Sequence, residues 1–379
     1  MEYREFGKTG LKVSILGFGM MRLPILNNDI SVIDEIQATK MIRMAIDQGV
    51  NYIDTAYGYH QYQSEHFAKK VLSDGYRKKV FLASKLPVWL THQVSDFEKY
   101  FSEQKEKLGT DCIDMYLLHA LDRKRWEEVA SLGVLDFLEN KKKNGEIRFI
   151  GFSFHDEYPV FEQIIRAYDW DFCQIQLNYM DTTIQAGLRG LTLAGEKGMG
   201  IVVMEPLKGG KLASPPNSIK GVFKKIQPTW SPVEWAFRWV GHLPEVSIFL
   251  SGMSSIEQTE ENIRIAASIK ANDFSTVHHQ AIDTVKSLYE SFKQIPCTGC
   301  RYCLPCPEGV AIPDVFSIFN DAAMYGSMDS SKFAYENFFS SESKADRCIE
   351  CHRCETLCPQ KLDIAKLLKH AHKSLISQD

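Results

Sequence analysis

The last quarter of the chain holds eight of its ten cysteines, in two tight groups. Cys297, Cys300, Cys303 and Cys306 are followed by Pro307, with the spacing C-x2-C-x2-C-x2-C-P. Cys348, Cys351, Cys354 and Cys358 are followed by Pro359, with the spacing C-x2-C-x2-C-x3-C-P. Thiolates this close together, with a proline behind the last, suit cubane iron–sulfur clusters, which carry electrons one at a time. Zinc is the competitor. Structural zinc sites, however, bring two C-x2-C pairs together from separated segments rather than crowding four cysteines into one short run. Cys112 and Cys173 stand alone in apolar runs and read as small buried hydrophobes.

A second chemistry lies earlier in the chain. Short apolar segments end on polar residues: Asp54, Lys85, His119, Ser153, Gln174 with Asn178, Glu205 and Ser251. Any one of these alone reads as an ordinary solvated strand end. Together, Asp54, Lys85 and His119 form a set for proton chemistry, with Tyr57 and Tyr59 following Asp54 directly. A phenol titrates near about 10, and a neighbouring ammonium lowers that value. Lys85 is therefore expected to acidify a tyrosine, with Asp54 holding Lys85 charged. His119 would bond a carbonyl oxygen. Such a set serves delivery of a proton to a carbonyl oxygen while hydride reaches its carbon.

The elements that must position these residues are legible from periodicity. Eight apolar segments, Val13–Gly19, Asn51–Ala56, Val80–Lys85, Asp114–His119, Phe149–Phe154, Phe172–Asn178, Ile201–Glu205 and Val246–Ser251, are rich in Val, Ile, Leu and Phe. Runs of this kind fit parallel strands buried on both faces. Between them lie helical patterns, among them Ala38–Gln48 before Gly49, Phe97–Leu108 before Gly109, Val134–Asn144 before Gly145, and Ser255–Ile269. The alternation predicts an α/β fold, a (β/α)8 TIM barrel, whose site sits at the C-terminal strand ends. A doubly wound sheet is the runner-up, and the first strand lacks the Gly-rich phosphate turn it would need. Residues 2–13 read as a hairpin around Gly-Lys-Thr-Gly that could plug the barrel's bottom. The expected division is 1–285 for the barrel and 286–379 for a small, mostly helical cluster domain. Its helices are expected at Pro313–Ala323, Ser331–Phe339 and Asp363–Ser374, after a connecting helix at Val277–Phe292.

Composition excludes other classes. A net charge of −4 with no basic stripe gives no footprint for nucleic acid. No apolar run approaches the roughly 20 residues of a membrane helix, and the N-terminus lacks the apolar core of a signal peptide. The expectation is a cytoplasmic protein, a compartment where clustered cysteines bind metal rather than form disulfides.

The stretches LGFGMMRLP, GVNYIDTAYGYHQYQSE, VFLASKLP, DMYLLHAL, IGFSFH, CQIQLNYMD, VMEPLKGG and SGMSSIEQTEENI, in this order over about the first 285 residues, resemble the aldo-keto reductase family. The resemblance implies nicotinamide-dependent carbonyl reduction on a (β/α)8 barrel, with a tetrad of Asp54, Tyr59, Lys85 and His119. It selects Tyr59 over Tyr57, which becomes a pocket wall. It further implies that Ser153 and Gln174 bond the nicotinamide carboxamide, with Asn178 lining the site. Pro206, Leu207 and Gly209 would receive the pyrophosphate. Gly252, Ser254, Gln258, Glu261 and Asn262 would surround the adenosine, although a serine there also serves as a plain helix cap. Met204 stands where many relatives stack an aromatic ring on the nicotinamide. No basic residue occupies 252–258, and Arg264 comes one turn later. NADP, NAD and a flavin therefore all stay open as the redox cofactor.

The C-terminal part resembles a helical 4Fe-4S dicluster ferredoxin module, fused to the barrel in one branch of the same family. The resemblance implies two 4Fe-4S clusters with crossed ligation: Cys297, Cys300, Cys303 and Cys358 for one, Cys348, Cys351, Cys354 and Cys306 for the other. The first motif has one residue fewer than usual before its last cysteine, which leaves the partition open. The expected function is an oxidoreductase acting on a small-molecule carbonyl, with clusters that exchange electrons with a redox partner protein. A cofactor-binding redox sensor or regulatory subunit, without catalysis, is the alternative. The loops Leu121–Leu132 and Lys208–Pro232 are expected to shape the substrate pocket, with Trp126 and Trp230 as candidate walls.

Overall fold

A computed structural model describes residues 1–377. The chain divides into two compact units, one of Met1–Gly209 with Val233–Ser275, the other of Gly210–Pro232 with Thr276 onward. In the first unit, β1 (Tyr3–Glu5) and β2 (Lys12–Ser14) form an antiparallel hairpin. The strands β3 (Leu16–Gly19), β4 (Tyr52–Asp54), β5 (Phe81–Leu86), β6 (Ile113–Leu121), β7 (Ile147–Phe154), β8 (Phe172–Gln176), β9 (Gly200–Met204) and β10 (Ile248–Ser251) follow. These eight close into a barrel in chain order, with β10 returning to β3, and all neighbours are parallel. The first apolar segment is thus two elements: its start pairs with β1, and its end enters the barrel.

Around the barrel lie α1 (Glu35–Asp47), α2 (Ser64–Val71), α3 (Val94–Leu108), α4 (Arg123–Ser131), α5 (Val134–Lys143), α6 (Tyr158–Ala167) and α7 (Gly187–Glu196). The chain then runs through α8 (Asn217–Ile226), α9 (Pro232–Gly241) and α10 (Ile256–Ala266). Each barrel helix buries one stripe: α1 turns Ala38, Met41, Ile42, Ala45 and Ile46 inward, the spacing of one helical face. Trp126 of α4 is buried against Trp170, 6.1 Å between rings, so it packs the helix layer and does not wall a pocket. Cys173 is fully buried as expected, whereas Cys112 is only half-buried.

The hairpin does stop the bottom of the barrel. Phe6 is fully buried among Val13, Tyr52, Phe172, Val202 and Ile248. Gly200 opens β9, and a Cβ there would lie 2.8 Å from the Phe6 ring, so only glycine admits the plug. Arg4 fastens the hairpin by donating to the carbonyls of Gly241, Leu243 and Val246.

The second unit contains α8 together with α11 (Thr276–Ser291), α12 (Ile312–Tyr325), α13 (Met328–Phe338), α14 (Arg353–Thr356) and α15 (Ile364–Ile376). The Lys208–Pro232 loop is therefore mostly a helical segment that packs on α11, with Lys211 paired to Asp321 of α12 at 2.6 Å and Trp230 stacked on His278. Val315, Phe316, Tyr335, Ile364 and Leu368 form the core of this unit. No helix among the described residues is long and apolar enough to cross a membrane.

Phe6→Ala should lower the unfolding free energy of the barrel by about 3–5 kcal/mol, the range for truncating a buried aromatic. Denaturant unfolding followed by barrel tryptophan fluorescence checks this, and an unchanged midpoint would mean the hairpin is not part of the core.

Candidate active site

Parallel strands put their C-terminal ends on one rim, so Asp54, Lys85, His119, Ser153, Gln174 and Met204 share it. Lys85 is fully buried and lies at the centre. Its ammonium donates to both Asp54 oxygens at 2.8 Å and to the Thr55 carbonyl at 2.8 Å. Those three acceptors use its three protons. The Tyr59 hydroxyl stands further off, at 3.5 Å. The His119 ring meets the Tyr59 ring edge-on at 6.0 Å, and Trp89 covers His119 from another side at 5.0 Å.

Tyr59 is aimed by a strained turn. His60, Gln61 and Tyr62 all have left-handed φ values, of 50°, 48° and 72°. Each costs a non-glycine residue roughly 1–2 kcal/mol. The turn is held because buried His60 donates from Nδ1 to the Ile30 carbonyl at 2.8 Å, while Thr55 and Ser64 bond through their hydroxyls at 2.8 Å. Tyr57 points elsewhere, donating to Glu103 at 2.7 Å under the Lys107 ammonium.

The electrostatics depart from expectation at one point. Burial opposes the charge on Lys85, but Asp54, and then Tyr59, outweigh it and hold the ammonium above its ordinary value. Burial also pushes Asp54 up, against the pull of Lys85, and the two 2.8 Å contacts mark the pair as ionised. For Tyr59, burial wins. It raises the phenol above its ordinary value, and the long contact to an already satisfied Lys85 does not reverse this. The acidified phenol expected from sequence is thus replaced by a phenol that keeps its proton. Burial pushes His119 well below the ordinary histidine value, and Lys85, His155 and Arg125 push the same way, so its imidazole is neutral.

Beside this set, polar groups lie without partners. Gln174 is buried; among the described residues its Oε1 has no partner and its Nε2 reaches the Met204 sulfur at 3.7 Å. The buried Nδ1 of His119 is likewise unpaired. Ser153 accepts from the Ala120 amide at 2.6 Å, and its own proton has no acceptor among the described residues. Buried amide groups are rarely left unpaired, so the Gln174 and Ser153 positions fit a carboxamide that both donates and accepts. Asn178 is different. Its amide bonds Asp181, the Glu205 carbonyl and the amides of Met180 and Asp181, so its polar atoms are all engaged.

The remaining expected residues lie on two rim loops. Pro206, Leu207 and Gly209 form a turn after β9 in which Glu205, Lys208 and Gly209 are left-handed, pinned by Lys208 on Asp181 at 2.8 Å. Gly252 and Ser254 follow β10, where Ser254 donates to the Arg22 carbonyl at 2.7 Å and its amide is capped by Gln258 at 2.9 Å. Ser255, not Ser254, caps α10. Asn262 donates to Ser251 at 3.0 Å, and Glu261 is half-buried on the same helix. Arg264 is drawn to Glu234, 3.7 Å away. Sequence reasoning missed Arg22. A Cβ on Gly252 would come 3.2 Å from its stem, and one on Gly209 would come 3.4 Å from its guanidinium. This exposed guanidinium has no side-chain partner among the described residues. Nothing local in LGFGMMRLP distinguishes it, because the loops it spans come from the other end of the chain.

In the second unit, one cavity is lined by Cys297, Cys300, Cys303 and Cys358, and another by Cys306, Cys348, Cys351 and Cys354, with Cys303 lining both. Among the described residues, no group of three or more Cys, His, Asp or Glu side chains converges to hold a single ion. Four thiols lining one cavity suit a multi-iron cubane. Six of the eight thiols pack on the apolar core, while Cys300 and Cys351 are exposed. Burial raises Cys297 and Cys303 and pushes Cys354 up to about 11, so cationic metal is what would hold them as thiolates.

Residues 15–283 match the aldo/keto reductase family, and residues 296–362 match the 4Fe-4S dicluster domain. The chain belongs to the aldo/keto reductase family. It is an oxidoreductase domain followed by a 4Fe-4S dicluster domain. It is similar to L-galactose dehydrogenase of Arabidopsis thaliana, 24% identical over 78% of this chain and 96% of that one. It is also similar to the uncharacterized oxidoreductase YrpG of Bacillus subtilis, 25% identical over 56% of this chain and 68% of the relative. Among solved structures, the holo form of aldo-keto reductase AKR11C1 from Bacillus halodurans shares the fold, with a TM-score of 0.63, 24% identity, and coverage of 75% of this chain and 96% of that one.

Asp54→Asn should destabilise the barrel by about 3–5 kcal/mol, because it leaves the Lys85 charge buried without its counter-ion. Thermal unfolding checks this, and an unchanged transition would mean that Lys85 is not charged in the native state.

Proposed function

We propose that this aldo/keto reductase family member reduces a small-molecule carbonyl with a nicotinamide cofactor, using Tyr59 as acid and base, and that its dicluster domain passes single electrons to or from an outside carrier protein. The observation that carries the reading is the Asp54–Lys85 pair, locked at 2.8 Å, with the Tyr59 hydroxyl 3.5 Å from the same ammonium and neutral His119 beside it.

Bound nicotinamide would supply two electrons as hydride to the carbonyl carbon. The chain supplies the rest. Ser153 and Gln174 would hold the carboxamide, and the 205–209 turn with Arg22 and the 252–262 segment would hold the phosphates and adenosine. Tyr59, which keeps its proton, donates it to the carbonyl oxygen. The Lys85 ammonium then lies against the phenolate that remains and lowers its energy. His119 donates a hydrogen bond to the same oxygen without competing for the proton, since burial and its cationic neighbours keep it neutral. Solvent restores the phenol proton.

The thiol rings would hold two 4Fe-4S clusters in the crossed arrangement, Cys358 completing the first motif's set and Cys306 the second's. Exposure of Cys300 and Cys351 favours exchange with an external one-electron carrier.

Tyr59→Phe should lower kcat for aldehyde reduction by about 100-fold or more, with cofactor binding kept. An unchanged rate across an aldehyde panel would remove the acid–base assignment. Because the phenol sits above its ordinary value of about 10, reduction should be flat across neutral pH, and alcohol oxidation should climb toward and past pH 10. A bell centred near neutrality would show an acidified phenol instead.

Iron counts test the ligation. Removing Cys300 and Cys358 together should cost about four irons per chain, whereas removing Cys351 and Cys358 together should cost about eight. The reverse pattern would assign each motif its own cluster.

A further inference from the structure

The rim beside His119 carries an arginine, Arg125. Arg125, on the first turn of α4, donates from Nη1 to the Ala120 carbonyl at 2.8 Å, next to His119 in the chain. Its guanidinium lies 5.9 Å from the Trp89 ring, and Trp89 is the residue that covers His119. The nearest acid, Asp122, is turned to the helix end. One oxygen caps the Arg125 amide at 2.8 Å, and the other is 3.5 Å from Nε. Nη2 has no partner among the described residues. His155 follows β7, and burial, then the Arg125 charge, push its titration down, so it is neutral. The fixed cations that act on His119 are Lys85 and Arg125.

We propose that the substrate is an aldehyde or ketone bearing a carboxylate, and that Arg125 receives this carboxylate at the rim while the carbonyl oxygen lies between Tyr59 and His119. The inference rests on the carbonyl-reductase reading and adds the substrate class to it. A guanidinium is suited to the task because its planar fork matches a carboxylate and stays charged at any working pH. Nη1 is fixed on Ala120, whose φ of 54° is itself left-handed, and Nε faces Asp122 at 3.5 Å, so Nη2 is already oriented before substrate arrives. Trp89 touches both the Arg125 guanidinium and the His119 ring. A substrate held at both ends therefore needs a chain of several carbons between its carboxylate and its carbonyl.

The test compares 5-oxopentanoate with pentanal in the full-length, anaerobically purified protein with saturating nicotinamide cofactor. The wild type should show kcat/KM about ten-fold or more higher for the acid, the worth of one hydrogen bond to a charged group. This advantage should shrink as salt is raised, with pentanal unaffected. Arg125→Met should bring the ratio of acid to aldehyde to about one, and Arg125→Lys should keep part of it. Equal turnover of both compounds by the wild type overturns the inference and leaves carbonyl reduction standing. Equal losses on both in Arg125→Met also overturn it, since they would mean that Arg125 only clamps Ala120. Turnover of neither compound removes the reductase reading, and the inference falls with it.

Discussion

A lysine ammonium enclosed in a barrel is tolerated only if something cancels its charge and accepts all of its protons. Asp54 and the Thr55 carbonyl do both for Lys85. That arrangement requires β4 and β5 to be neighbours in register, Asp54 opposite Ala83, with Lys85 two residues on. It also requires the chain after Asp54 to turn sharply so that Thr55 presents its carbonyl and Tyr59 returns over the ammonium. The left-handed residues 60–62 are the conformational cost of that return, and the His60 bond to Ile30 is one of the contacts that hold them. Strain at such a place persists only where surrounding structure over-determines it.

Burial, more than any single neighbour, sets the protonation states of the rim. It keeps the proton on Tyr59, strips charge from His119, and opposes charge on Lys85 until Asp54 intervenes. The outcome is a protonated phenol 3.5 Å from a fixed cation, with a neutral imidazole edge-on to the phenol ring. The same force acts on the thiols of the second unit, where burial raises Cys297, Cys303 and Cys354. A carboxylate restores charge in the barrel. In the cluster unit, iron would have to do so.

Glycines and left-handed residues mark where backbone must come close to something else. Gly200 makes room for Phe6 at the bottom, and Gly252 leaves the Arg22 stem space at the top. The run of left-handed residues from Glu205 to Gly210, interrupted at Pro206 and Leu207, falls where the chain leaves the barrel unit. Its barrel end is fixed by Asp181 on Lys208 and by Asn178 on the Glu205 carbonyl. Asn178, whose polar atoms are all engaged, fixes this loop.

Local pattern alone determined a good deal. Apolar runs of strand length alternating with helical stripes specify a (β/α)8 barrel because burial on both faces and burial on one stripe leave different periods in a sequence. Cysteines separated by two residues specify a cluster site because ligand spacing is itself local. The chemistry-bearing rim residues were legible for the same reason, each lying at the end of an apolar run. Properties that depend on distance between remote segments were decided by the tertiary structure. Whether Lys85 acidifies Tyr59 turned on which acceptors filled its protons and on how deeply the phenol was enclosed. Arg22 meets Gly209 and Gly252, and Arg125 meets Trp89, only because the barrel closes. Trp126 went to packing because Trp170 lay opposite. The segment 210–232 joined the helical unit because its apolar face found α11 there, a partner that no local pattern could name.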